Sequence, residues 1–230
     1  MKNSYKGPVE DLKWTDTLKA NVVTPGSRPR VHGYDVRGQM LGSSSFPELI
    51  FLALTGDLPT EKALSAFESV LLFAAPVSAE EAPVHASILS GLCGSGQSGL
   101  TGVSAISLAQ RARWLVSKYS NVLEALSREK VLPDDPDVYG TEEEKQDTAL
   151  LLDSLRNSDI DFPPLLSELK PAAASLAVLY FCCELTDPGV LEAVLVLAAL
   201  PCTLAEGRAV KPGNFRTYPI DLPEFRYTDD

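Results

Sequence analysis

The chain has 230 residues, 45% hydrophobic and 22% charged, enough for one large domain or two small ones with a proper core. Its 20 Lys and Arg face 31 Asp and Glu, a net charge of −11 that repels a phosphate backbone, and no basic stripe offsets it, so a nucleic-acid partner is excluded. Four cysteines (Cys93, Cys182, Cys183 and Cys202) form no Cys-x-x-Cys pair, and with two histidines a zinc site lacks ligands.

Residues 1–13 read as a loose arm with no apolar core of a signal peptide, and residues 14–230 read as a single helical domain. From Trp14 to Val36 the chain is rich in turns, with short extended pieces at Val22-Val23 and Arg30-Val31-His32. Ser45, Pro47 and Glu48 are a helix start signal, Leu49 to Leu54 supply its apolar body, and Gly56 ends it. Thr60 and Glu61 open the next helix, whose Leu64, Phe67, Val70, Leu71 and Ala74 have helical spacing up to Pro76. Helices are then expected over 82–92, 100–118 and 122–127. An acidic loop follows at Pro133 to Asp137, then helices over 142–155, 171–185 and 190–200.

The greasiest stretch, 171–200, is broken at Glu184, Asp187, Pro188 and Gly189, and each half is too short to cross a bilayer, so no membrane partner is expected. Cys182 and Cys183 lie in it and read as inert buried thiols, in keeping with a reducing, cytoplasmic setting. From Lys211 onward a proline-rich and aromatic tail reads as an extended arm. Period-two alternation is nearly absent, which makes the fold class all-α with few or no short strands.

Two segments carry a family resemblance. Trp14-Thr15 is followed by Val31-His32-Gly33-Tyr34-Asp35-Val36, and then by Ser44-Ser45-Phe46-Pro47-Glu48 running through Leu54-Thr55-Gly56-Asp57-Leu58-Pro59-Thr60. In order and spacing this resembles the N-terminal region of citrate synthase-like proteins, with His32 where the family usually has arginine. The opening Trp-Thr and the short length are most similar to the citryl-CoA lyase branch. The resemblance implies a citrate synthase-like multi-helix bundle in which residues of about 120–165 form a truncated small domain. It also implies a homodimer, or a heterodimer with a catalytic paralogue. No cofactor is required, and coenzyme A or an acyl-CoA is the ligand the resemblance suggests.

The family's chemistry uses one histidine on the oxo-acid, another in a His-Gly-Gly turn on the thioester carbonyl, a third in a Gly-Phe-Gly-His loop, and an aspartate as general base. Counting back from Gly94-Ser95-Gly96, the first position falls at Ser78-Ala79. The second falls at Gln110-Arg111-Ala112-Arg113-Trp114, the third near Val138-Tyr139-Gly140, and the aspartate at Lys170-Pro171-Ala172-Ala173-Ala174. None of these segments holds the required side chain, so no catalytic residue is assigned and the chain is expected to be silent alone.

His85, Arg111 and Arg113 are the candidate substrate-binding residues. His85 is the histidine nearest the expected cleft, and the two arginines are cations suited to a carboxylate or phosphate. Arg111, Arg113 and Lys118 also suit the C-terminal end of a helix, where cations are favoured for structural reasons. An enzyme of altered chemistry would have to draw its acid and base from His85, Glu80, Glu81, Asp134 or Asp135. Gly94-x-Gly96-x-x-Gly99 formally matches a dinucleotide motif, but a helix-like segment precedes it and no acid follows at the right distance. It reads as a turn between helices.

Overall fold

The computed structural model describes residues 20–24, 26–127 and 135–213. The expected arm over 1–13, the Trp14-Thr15 pair, Pro133-Asp134 and the tail beyond Gly213 lie outside the described residues. The chain divides into two compact units, Met1–Leu58 and Pro59–Asp230.

In the first unit, β1 (Val23–Thr24), β2 (Arg30–Val31) and β3 (Tyr34–Asp35) form a small antiparallel sheet in the order β1-β2-β3. The turn between β2 and β3 is made by His32 and Gly33, both with positive φ. Glycine adopts that conformation without strain, and histidine is one of the few side chains that also tolerates it. The buried Asp35 accepts from the backbone N–H of Gly38 at 2.8 Å, starting a π-helical turn over Val36–Met40. Helix α1 (Phe46–Thr55) begins with a capping box: Ser45 Oγ accepts from Glu48 N, and the Glu48 carboxylate accepts from Ser45 N, both at 3.3 Å. Gly56, at φ 91°, ends it with its N–H on the Leu52 carbonyl. These are the start and stop read from the sequence.

The second unit holds α2 (Glu61–Phe73), α3 (Ala82–Leu92), α4 (Gln97–Ser127), α5 (Glu142–Asn157), α6 (Pro171–Cys182) and α7 (Pro188–Ala209), with a 3-10 turn at Pro164–Glu168 before α6. The all-α reading holds, with the three short strands of the first unit as its only sheet among the described residues.

Three helices depart from expectation. The separate helices expected over 100–118 and 122–127 are one 31-residue helix, α4. Tyr119-Ser120-Asn121 resembles a break, yet the buried stripe runs through Leu108, Ala112, Leu115, Tyr119, Val122 and Leu126 without changing phase, so packing overrides weak local propensity. Arg111, Arg113 and Lys118 therefore sit in mid-helix, and a C-terminal dipole does not account for them. The helix expected over 190–200 continues through Pro201 to Ala209. Proline there removes the bond to the Leu197 carbonyl, but Pro201 and Leu197 are both exposed, where solvent can satisfy that oxygen. At 22 residues α7 is long and apolar enough to cross a membrane by length and composition alone, which corrects the expectation that the second half of the greasy stretch is too short. The helix expected over 171–185 ends earlier, at Cys182, with Glu184 in the left-handed region.

Helices α3, α4 and α7 pack on one another around a small buried polar chain. Ser104 Oγ lies 3.0 Å from Ser87 Oγ, and Ser87 donates to the Thr203 carbonyl at 2.8 Å. Small residues permit the crossing: a Cβ on Gly207 would fall 2.6 Å from Leu100 Cδ1 and 2.7 Å from the Ser87 carbonyl oxygen.

Candidate functional site

The four segments at which the resemblance would place the family's catalytic groups lie in the second unit, and two of them, 110–114 and 170–174, line one small pocket. It is lined by Phe73 at the end of α2, Pro76 in the loop that also holds Ser78 and Ala79, Arg111 and Leu115 on α4, and Ala172 and Ser175 on α6. The segment over 138–140 braces the start of α6. Tyr139 bridges to Leu169, the Lys170 N–H donates to the Val138 carbonyl, and Thr148 Oγ1 donates to the Leu169 carbonyl at 3.0 Å. These bonds clamp 138–140 and α5 onto the segment that leads into α6.

The pocket measures about 90 Å³, well below the roughly 300–1,000 Å³ of ordinary ligand sites. Its lining holds no His, Asp, Glu, Cys, Tyr or Lys. Ser175 is buried and donates to the Pro171 carbonyl at 2.9 Å, so its hydroxyl is engaged within its own helix. Arg111 is the one ionised group of the lining, and Glu81 holds it in a two-point pair. Arg111 Nε donates to Glu81 Oε2, and Nη2 donates to Oε1 at 3.1 Å. Both partners are half-buried, a setting in which a forked guanidinium–carboxylate contact is stronger than a surface ion pair. Glu81 sits at the N-terminal cap of α3 without making a side-chain cap bond, so its carboxylate is given over to Arg111.

The candidate residues thus separate. Arg111 enters the pocket, whereas His85 and Arg113 are exposed on α3 and α4 and do not line it. His32, the other histidine, lies in the first unit with Nε2 3.4 Å from the Ala53 carbonyl oxygen. Glu80 and Asp135 are exposed, and Asp134 lies outside the described residues. Lys118 donates to Asp137 at 3.2 Å and stands 4.9 Å from the Trp114 ring centre. The Glu81–Arg111 pair was not foreseen. It joins residues thirty positions apart on separate elements, and no local spacing signals it.

Burial pushes the Cys182 thiol up to about 11, and burial, with neighbouring Cys182, raises Cys183 further. Neither thiol is a nucleophile near neutrality. Cys93 and Cys202 are free and exposed. Among the described residues no three His, Cys, Asp or Glu side chains are grouped to hold a metal.

No family model and no curated protein matches the sequence. Solved structures do. Citryl-CoA lyase from Hydrogenobacter thermophilus aligns with a TM-score of 0.66 at 16% identity, over 93% of this chain and 95% of that one. ATP citrate lyase from Methanothrix soehngenii, in complex with citrate and coenzyme A, aligns at TM-score 0.58 and 10% identity over 86% of this chain. A variant of the Methanosaeta concilii ATP citrate lyase, in complex with (3S)-citryl-CoA, gives 0.51 and 13% over the same share. The chain spans only 39% and 38% of those two larger proteins, against nearly all of the lyase. At these identities what is shared is the architecture, and on it this chain has the citrate synthase-like fold in the form that citryl-CoA lyase takes.

Proposed function

We propose that this chain is a non-catalytic citryl-CoA lyase-like subunit, one that keeps the frame of the fold and works beside an active chain of the same architecture. One observation carries the reading: the pocket lined by two of the segments where the family's catalytic groups are expected holds no group able to take or give a proton near neutral pH, and Glu81 neutralises its one cation. Forming or cleaving a carbon–carbon bond next to a thioester requires a base at the acyl carbon and a donor at the carbonyl. Phe73, Pro76, Leu115 and Ala172 supply neither. The pocket's volume also favours a structural role over ligand storage, because it lies well below that of ordinary ligand sites.

The test is direct. Purified protein should give no turnover with citryl-CoA, nor with acetyl-CoA plus oxaloacetate, and calorimetry should show no saturable citrate or coenzyme A binding. Isolation from the native source should yield an active citrate synthase-like companion. Turnover by this chain alone that disappears in His85→Ala would establish an altered enzyme. Citrate binding that disappears in Arg111→Ala would establish a ligand sensor.

A further inference from the structure

Glu81 and Arg111 stand at the boundary between two spaces. Among the described residues Arg111 alone lines both the small pocket and a larger groove between α3 and α4. Glu81 lines only the groove, so the forked contact lies on that side of the guanidinium. The groove measures about 340 Å³, within the range of ordinary ligand sites. Ala82, Pro83 and Ala86 give it an apolar floor of small side chains, and the exposed Trp114 gives it a flat wall. Ser107 and Gln110 line it too, and neither makes a side-chain hydrogen bond among the described residues. From Ala82 to Gln110 the sequence contains no Asp, Glu, Lys or Arg. Without Glu81, the described lining would keep a single ionised residue, Arg111.

We propose that this groove is a binding site for a small planar carboxylate, held shut by Glu81. Glu81 itself shows the chemistry of the seat: its two carboxylate oxygens accept the fork that a ligand's carboxylate would accept. No other bond ties it there. It makes no capping bond to α3 and its side chain is 40% exposed, so it can swing into water when an outside carboxylate replaces it. That exchange keeps the half-buried guanidinium paired, whereas a neutral ligand displacing Glu81 would leave it without a partner. A flat ring carried by the carboxylate would lie against Trp114 over the floor of small side chains. Ser107 and Gln110 would bond its polar edge. A tricarboxylate is a poorer occupant, because its further charges would rest on Ala82, Pro83 and Ala86 with no cation to meet them. The proposal concerns binding without proton transfer, so it stands or falls apart from the non-catalytic reading.

Benzoate titrated into the full chain, followed by calorimetry and by tryptophan fluorescence, tests the site. Glu81→Ala empties the seat and should bind benzoate about tenfold more tightly than the unmodified chain, or better. Glu81→Gln keeps the side-chain length without the charge and should also bind more tightly, which preserves the test if the alanine variant does not fold. Adding Arg111→Met to either variant should abolish binding, and adding Trp114→Leu should weaken it severalfold. Benzamide, the uncharged analogue, should not compete. If both Glu81 variants keep the circular dichroism of the unmodified chain and neither binds benzoate saturably, the proposal is overturned. Equal affinity in the unmodified chain would overturn it as well, as would binding that survives Arg111→Met or competition by benzamide.

Discussion

Replacing Gly91 with alanine tests how closely α3 and α7 cross. A Cβ at Gly91 would collide with the carbonyl oxygen of Gly207 and come 2.6 Å from Val210 Cγ2. The oxygen belongs to the backbone of α7 and cannot rotate aside, so the helices must separate or α3 must shift. Overpacking of this kind costs about 1–3 kcal/mol, and a backbone obstacle puts it at the upper end. Alanine's better helix propensity returns about 1 kcal/mol, leaving a net loss near 2 kcal/mol. For a chain of this length that lowers the melting temperature by roughly 4–8 °C. Gly102 is the control. It too lies within a helix, but a Cβ there meets nothing within 4 Å, so Gly102→Ala should gain about 0.5–1 kcal/mol and melt higher. Thermal melts followed by circular dichroism at matched concentration would compare them. If Gly91→Ala melts as high as Gly102→Ala, α3 and α7 do not approach as described, and the small-residue account of the crossing fails.

Thr203 Oγ1 is buried without a hydrogen-bond partner, so Thr203→Val should raise stability by about 1 kcal/mol in a denaturant titration, with the Ser87 bond to the Thr203 carbonyl untouched. A double-mutant cycle on Glu81→Gln and Arg111→Met should give a coupling of about 1–2 kcal/mol in denaturant melts, and a value near zero would mean that solvent screens the pair. At pH 8 iodoacetamide should modify Cys93 and Cys202 well before Cys182 and Cys183 by peptide mass mapping. The sign follows from burial. Raised thiols favour the protonated, unreactive form in the folded state, so Cys182 should begin to react only as the pH climbs toward 11, and the stability this burial lends is lost over that same alkaline rise.

What the sequence disclosed was local. Ser45 with Glu48, and Gly56 at the far end, are chemical start and stop marks that act over a single turn, so α1 is readable without tertiary knowledge. The turn at Gly94 to Gly96 was equally plain. The continuity of α4 was not, because Ser120-Asn121 argue locally for a break while Val122 and Leu126 are held by distant partners. The run of α7 past Pro201 was hidden for a related reason. A proline's cost depends on whether the orphaned carbonyl faces solvent, which sequence does not state.

The site was legible as an absence and opaque as an arrangement. That Ser78, Ala79 and Ala172 lack acid–base groups is plain from the letters. That Arg111 spends its charge on Glu81 follows only from the packing of α3 against α4. The difference bears on what a carboxylate at the head of α6 would meet. Ala173 and Ala174, where the aspartate would be sought, are sealed in the core with no exposed surface. A carboxylate placed there would be desolvated, with the adjoining pocket's one cation already bound elsewhere, a combination that costs several kcal/mol. The alanines at the head of α6 are part of the packing that holds the helix, so a carboxylate there would cost the frame stability whatever chemistry it offered.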